Sequence, residues 1–285
     1  MKCNLFIIGA AKSGTTSLCE YITQHPKVFI PNIKEPHFFS NIKQTTTTRV
    51  INNIKEYSQL YKNRKEQYLC DGSTSYLFFS KRTALKIKKY NKHAKIILLL
   101  RNPIDRLYSH YLMAKEMVGE EVNDIRFVIN EDYRTKQGYH DSKVNPYLAP
   151  SFYFKNVEEY LNRFSKENVH IVIFEDLIAN LDHEMSQIFS FLNLENICVN
   201  SKIYNSYKKM RNTYLNKVIF NKQSAFLKTI IPRKIKYFLK NILYKKSEKP
   251  TLDKKIREKL HIIFNDDIEK LYKLTQKESI LKWKK

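Results

Sequence analysis

The sequence predicts an α/β fold, a P-loop-like, doubly wound and mainly parallel sheet with helices on both faces, in a single domain over residues 1–285. Three observations carry this. The segment Phe6-Ile-Ile-Gly-Ala-Ala-Lys-Ser-Gly-Thr-Thr-Ser-Leu18 reads as a buried strand running into a tight turn and then a helix. Lys95-Ile-Ile-Leu-Leu-Leu100 is a short apolar run of strand length ending at a charged residue. Strand-length and helix-length segments alternate over most of the chain, the rhythm of crossovers between parallel strands.

Each element has its own signal. Thr15 to His25 reads as a helix ended by Pro26, and Val28 to Phe39, broken by two prolines, reads as a loop packed over the sheet. Ile51 to Tyr61 has helical spacing, and Tyr68-Leu-Cys-Asp71 is a strand closed by Gly72-Ser-Thr-Ser75. Lys81 to Asn91 is a helix leading to the strand 95–100. Pro103 then opens a helix to about Met117, where its missing N–H costs nothing. A helix over Phe152–Phe164, a strand over His170–Phe174 and a helix from about Leu181 to Leu192 follow. Residues 201–250 are less regular, with an apolar stripe at helical spacing over Arg233–Tyr244. A last helix from about Asp253 to Leu274 precedes the only tryptophan, Trp283.

Composition narrows the function classes. Hydrophobic residues make up 42% and aromatics 13%, a globular and not a disordered balance. No run approaches the roughly 20 apolar residues of a membrane span, and no signal peptide is recognisable, so the expectation is a soluble, cytoplasmic protein. Cys3, Cys19, Cys70 and Cys198 lack any CxxC spacing and are expected to be reduced thiols. The net charge of +23 is uneven: residues 1–200 hold 27 Lys/Arg against 21 Asp/Glu, and residues 201–285 hold 24 against 7. The second part therefore carries a field suited to a polyanion, an anionic membrane surface or an anionic cofactor.

The turn Gly9–Thr16 points to phosphate, because the first N–H groups of a helix lack partners and face the positive end of its dipole. It has the outer glycine spacing of the Walker pattern, but Thr15 stands where the lysine belongs and the lysine is Lys12, three residues earlier. The strand 95–100 ends in Arg101, where a metal-dependent phosphotransferase usually carries an acid. A guanidinium there suits a phosphate and cannot bind a cation. Ser109 follows two turns into the next helix, on the side expected to face the same ligand. In Lys34-Glu35-Pro36-His37-Phe38-Phe39, a carboxylate beside two aromatics is expected to be partly desolvated, with its proton affinity raised toward that of a general base.

Together, Ala-Lys-Ser-Gly-Thr-Thr-Ser, Lys-Glu-Pro-His-Phe-Phe and Leu-Leu-Arg-Asn-Pro-Ile-Asp-Arg-Leu-Tyr-Ser-His-Tyr resemble the sulfotransferase family that uses 3′-phosphoadenosine 5′-phosphosulfate, in particular its heparan sulfate and bacterial carbohydrate branch. Asp71-Gly-Ser-Thr-Ser-Tyr76, Phe174-Glu-Asp-Leu177 and Trp283 fall in family order too. The resemblance implies that Lys12, Ser13, Gly14, Thr15, Thr16 and Ser17 hold the 5′-phosphosulfate, Lys12 also stabilising the departing adenosine 3′,5′-bisphosphate. It implies that Arg101 and Ser109 hold the 3′-phosphate, with Lys208 and Arg211 of a loosely matched later loop as further candidates. Glu35 is then the base that takes the acceptor's proton, with His37 replacing or assisting it, and Ser73 and Tyr76 join them on the acceptor side.

Heparan-type members often carry a lysine after the acid of the second strand motif, where this chain has Gly72. The implied reaction is in-line transfer of a sulfuryl group to a carbohydrate hydroxyl, or to an amine, with no metal. The implied partner is a glycan or polysaccharide acceptor. A peripheral contact of the basic C-terminal part with anionic membrane is an accessory expectation. Secretory-pathway members carry an N-terminal anchor, whereas this chain begins at its first strand, which fits a bacterial cytoplasmic enzyme. Two other readings stay open: a small-molecule P-loop kinase, which would need Mg²⁺ and ATP, and a basic protein that binds nucleic acid or a membrane surface, although no nucleic-acid-binding module is recognisable.

Overall fold

The computed structural model describes residues 2–44, 49–117, 124–130, 144–201, 208–210, 244–246 and 249–284. Five parallel strands form one sheet: β1 (Leu5–Ile7), β2 (Val28–Phe29), β3 (Tyr68–Asp71), β4 (Lys95–Leu100) and β5 (Val169–Ile173), in the order β2-β3-β1-β4-β5. The connection after β1 leads to one side of the sheet and the one after β3 crosses to the other. The carboxyl ends of β1, β3 and β4 thus surround the switch point where ligands bind in such folds.

The helices are α1 (Thr15–Ile22), α2 (Ile54–Gln59), α3 (Ser75–Phe78), α4 (Ser80–Tyr90), α5 (Pro103–Met117), α6 (Ile125–Val128), α7 (Phe154–Arg163), α8 (Phe174–Ala179), α9 (Leu181–Phe191) and α10 (Lys254–Thr275), with a 3₁₀ turn over Glu278–Lys284. The segments Lys208–Met210 and Tyr244–Lys246 form a separate antiparallel pair, β6 and β7.

Alternation along the strands separates two apolar layers. Phe6, Ile8, Ile96, Leu98 and Leu100 face the larger core with α4, α5, α7 and α10. Leu5, Ile7, Ile97, Leu99 and Val172 face the smaller one with α1 and α9. Helix α10 turns Leu260, Phe264, Ile268 and Leu271 inward, and Trp283 is buried beside it.

The structure departs from the sequence expectations in local ways. Helix α1 stops at Ile22, ahead of Pro26, and Val28–Phe29 pair with Tyr68–Leu69 as an edge strand inside the expected loop. Asn53 caps α2 by accepting the Glu56 N–H at 2.7 Å, which starts that helix three residues later than expected. The short helices α3 and α8 have no counterpart in the sequence reading. The apolar stripe at 233–243 lies outside the described residues, and Tyr244 is in β7.

Candidate active site

The turn after β1 continues alongside β4 before it bends: the Ile8 and Ala10 N–H groups donate to the Ile97 and Leu99 carbonyls at 3.0 and 2.6 Å. Gly9 (φ 136°) passes so close to the next layer that a Cβ there would lie 2.9 Å from both Leu77 Cβ and Thr74 O. Lys12 (φ 72°) and Gly14 (φ 88°) then reverse the chain into α1. Gly14 gives α1 no capping side chain, and no acidic residue stands in the first turn, so the helix dipole is left for an external anion.

Arg101 meets this turn directly. Its Nη1 donates to the Lys12 carbonyl at 3.0 Å, its guanidinium lies 4.6 Å from the centre of the Phe174 ring, and its buried Nε has no hydrogen-bond partner among the described residues. The Tyr153 hydroxyl donates to the Arg101 carbonyl at 3.0 Å. Tyr153 is itself fixed from α10, where Asp267 accepts the Tyr153 and Phe154 N–H groups at 2.7 and 3.1 Å. On the other side, Glu175 at the start of α8 accepts the Asn102 N–H at 3.0 Å and the Trp283 indole N–H at 3.2 Å. The C-terminal helix and its 3₁₀ turn thus hold the end of β4 in place.

Asp105, Ser109 and Met113 lie one turn apart along one face of α5. Met113 Sδ accepts from Lys12 Nζ at 3.3 Å, and Asp105 Oδ1 from Arg257 Nη2 at 2.9 Å, which sets half-buried Ser109 on the stripe facing the turn. Lys249 joins here, its ammonium 5.0 Å from the centre of the Tyr108 ring. Burial first, then Arg101 and Arg257, lower its pKa to about 8 against an opposing pull from Asp105. Lys249 and Arg257 were not singled out from sequence, since nothing in their local pattern signals proximity to a residue about 150 positions earlier. Lys249 lies beside Tyr108, and Arg257 pairs with Asp105. The backbone of Lys208 belongs to the β6–β7 pair, and Arg211 lies outside the described residues.

Within the turn the roles divide. Ser13 is fully buried, its N–H donates to the Ala10 carbonyl at 3.2 Å, and its hydroxyl oxygen has no hydrogen-bond partner among the described residues. Thr15 is 5% exposed, whereas Thr16 and Ser17 are half-buried on the first turn of α1.

The second cluster covers the end of β3. The Lys34 carbonyl accepts the Gly72 N–H at 3.1 Å and the Pro36 carbonyl accepts the Ile51 N–H at 2.9 Å, which fixes the loop 34–40. Glu35 Oε1 is 2.6 Å from Lys34 Nζ, while Oε2 accepts the Thr74 hydroxyl at 2.8 Å and lies 3.6 Å from His37 Nε2. Burial alone would raise the Glu35 carboxyl, but Lys34, with smaller help from His37 and Thr74, holds it below the ordinary glutamate value. The expected rise in its proton affinity is therefore reversed, because the sequence could not show that Lys34 folds back onto it.

His37 sits in a closed ring of hydrogen bonds. The Ser40 hydroxyl donates to the His37 carbonyl at 2.9 Å, and the Ser75 hydroxyl donates to Ser40 Oγ at 2.9 Å. Ser75 Oγ is then left to accept from His37 Nδ1, at 2.7 Å. Burial lowers the His37 pKa, Glu35 opposing it, and the neutral ring carries its proton on Nδ1. Its Nε2 lone pair therefore points toward Glu35 Oε2.

Ser73 and Tyr76 take a different place from the one expected. Both are fully buried around Asp71: the Ser73 hydroxyl and N–H donate to Oδ1 at 2.6 and 3.0 Å, and the Tyr76 and Tyr57 hydroxyls donate to Oδ2 at 2.8 and 2.9 Å. Neither offers a surface to an acceptor. They hold the loop instead, since Ser73 Oγ accepts the His37 N–H at 3.0 Å and the Tyr76 hydroxyl accepts the Phe39 N–H at 3.3 Å.

The chain is similar in sequence and in fold to known sulfotransferases. The chain is 26% identical over 279 residues to the mouse heparan sulfate glucosamine 3-O-sulfotransferase 5, covering 94% of this chain and 71% of that protein. It is 24% identical over 250 residues to the rat carbohydrate sulfotransferase 15 (67% and 44%) and 22% identical over 270 residues to the membrane-associated sulfotransferase kil1 of Dictyostelium discoideum (68% and 56%). The chain thus spans about half the length of the last two relatives. Among solved structures, a sulfotransferase from Alicyclobacillus acidocaldarius superposes with a TM-score of 0.76 at 24% identity over the whole of both chains. Mouse sulfotransferase SULT7A1 complexed with PAP superposes at 0.53 and 14%, over 99% of this chain and 88% of that one. The family model for the sulfotransferase domain matches residues 2–275, and the chain belongs to that family.

Proposed function

We propose that this chain transfers a sulfuryl group from 3′-phosphoadenosine 5′-phosphosulfate to a hydroxyl of a carbohydrate acceptor. The observation that carries the reading is the contact between Arg101 and the Lys12 turn: an uncapped helix N-terminus and a guanidinium with an unused buried N–H adjoin one another. Such an arrangement fits a nucleotide with an anionic group at each side of its ribose. Thr15, Thr16, Ser17 and the first N–H groups of α1 would hold the 5′ side. Arg101, Ser109, Lys249 and Arg257 would hold the 3′-phosphate. When bound, the donor supplies the sulfuryl group and an anionic leaving group.

The chain's own residues do the rest. Lys12, resting on the weak thioether acceptor of Met113, stabilises negative charge growing on the leaving side. Glu35 takes the acceptor's proton at Oε2, oriented by Thr74, and the Nε2 lone pair of His37 makes a second acceptor 3.6 Å away. A carbohydrate acceptor is supported by the names of the relatives, heparan sulfate and carbohydrate sulfotransferases among them. A cytoplasmic, membrane-peripheral location belongs to the same proposal. No helix among the described residues is long and apolar enough to cross a membrane, and one relative is named membrane-associated.

The test is incubation of the purified protein with ³⁵S-labelled donor and glycan fractions, with mass spectrometry of the labelled product. Transfer to a sugar hydroxyl is expected, and Glu35→Gln should lower it about 10²–10⁴-fold while leaving nucleotide binding intact. Label on non-carbohydrate acceptors alone would overturn the acceptor class, and full turnover by Glu35→Gln would move the base elsewhere.

A further inference from the structure

Lys34 is a half-buried cation whose position is set by a glycine. Its side chain runs across Gly72, where a Cβ would stand 3.3 Å from Lys34 Cγ and 2.9 Å from Cys19 Sγ. Its ammonium ends 3.4 Å from the Gly72 carbonyl and 2.6 Å from Glu35 Oε1. With 21% of the Lys34 side chain and 29% of that of Glu35 exposed, the pair is neither a solvated surface contact nor a closed core pair. The other oxygen of Glu35 is held by Thr74, so the carboxylate is fixed at both ends. Both Glu35 oxygens are thus engaged, and the bare Cα of Gly72 leaves the room that the lysine stem occupies beside it.

We propose that Lys34 is the positioning residue for Glu35, holding its carboxylate ionised with Oε2 turned toward His37, and that the missing side chain at Gly72 is what admits Lys34 to this place. This rests on the reading of Glu35 as the proton acceptor. The groups facing the pair are His37 from the same loop, Thr74 at the start of α3, Cys19 from α1, and, behind them, Cys70 and Asp71 of β3. Of these Lys34 is the group whose charge most favours the ionised carboxylate, in keeping with the low proton affinity of Glu35. A base kept ionised this way is ready at neutral pH, and a lone buried glutamate would not be.

The experiment is a ¹³C NMR titration of the full-length protein labelled at the glutamate carboxyl carbon, with Glu35→Gln identifying the resonance. Glu35 is expected to titrate below the ordinary glutamate range in the wild type and in Lys34→Arg. In Lys34→Met it is expected to move up by about 1–3 pH units, burial now acting without the cation. Gly72→Ala, which pushes the lysine stem aside, should move it in the same direction by less, and carries the test if Lys34→Met does not fold. The acid limb of kcat/KM, measured with ³⁵S-labelled donor and a desulfated heparin fragment as probe acceptor, should move with it. An unchanged titration in both Lys34→Met and Gly72→Ala would overturn the inference. The titration needs no turnover, so it fails or holds independently of whether the probe is sulfated.

Discussion

Replacing Asp71 with Asn should remove a pH dependence of stability that the fold builds into the end of β3. Burial raises the Asp71 pKa from 3.8 to about 6, although the hydroxyls of Ser73, Tyr76 and Tyr57 and the Ser73 N–H all favour the ionised form. The native state therefore binds the proton more tightly than the unfolded chain. Well below pH 3.8 both states are protonated and this group contributes nothing against folding. As pH rises through the interval from 3.8 to about 6 the unfolded chain releases its proton first, and stability falls until the native carboxyl has ionised as well. The gap corresponds to about 3 kcal/mol.

Urea midpoints of wild type and Asp71→Asn between pH 4 and 7 give the assay, and their difference isolates this residue from other titrations. The wild type should lose about 2–2.5 kcal/mol relative to the variant over that range. The Asn variant can keep both bonds from Ser73, while the two tyrosine hydroxyls must turn to accept from its amide. A constant offset is therefore expected on top of the slope. Parallel stability curves would refute the reasoning, because they would mean that the hydrogen bonds fully offset burial of the charge.

Other perturbations bear on the nucleotide side. Gly14→Ala places a Cβ at φ 88°, 2.7 Å from Phe174 Cε2, on the ring that supports the Arg101 guanidinium. The left-handed backbone and the clash together should cost about 2–4 kcal/mol in urea unfolding and weaken nucleotide binding, and a variant as stable as wild type would contradict the turn geometry. Trp283→Phe removes the indole donor to Glu175, a carboxylate that burial already pushes up, with a loss of about 1.5–3 kcal/mol and a lower Tm expected by calorimetry. An unchanged Tm would show that the C-terminal 3₁₀ turn does not brace the end of β4.

The parts of this account that were legible in the sequence are those written in short range. The runs Phe6–Ile8 and Ile96–Leu100 announce buried strands, and Gly9, Lys12 and Gly14 announce the turn, because each signal lies within a few residues of its structural consequence. Arg101 comes beside Lys12 because it directly follows β4, and β4 neighbours β1, whose following turn carries Lys12.

Burial was not legible. Ser73 and Tyr76 look like acceptor contacts in a polar string, but the fold turns both onto Asp71. Glu35 looks desolvated beside two phenylalanines, yet the rings of Phe38 and Phe39 pack with Tyr57 while Lys34 claims the carboxylate. Gly72 reads as the loss of a cation, whereas in the fold it admits one from the neighbouring loop. Lys249 comes near Arg101, and Arg257 to Asp105, through contacts about 150 residues apart in the chain, an arrangement with no local signature.

The measurement that bears most directly on the central claim is calorimetric binding of adenosine 3′,5′-bisphosphate and of 5′-AMP to wild type and Arg101→Ala. Wild type should bind the bisphosphate at least about tenfold more tightly than 5′-AMP, the scale of one charge-assisted phosphate contact, and Arg101→Ala should remove most of that preference while changing 5′-AMP affinity little. Equal affinities in the wild type, or a preference that survives loss of the guanidinium, would contradict a two-phosphate site between the Lys12 turn and the end of β4.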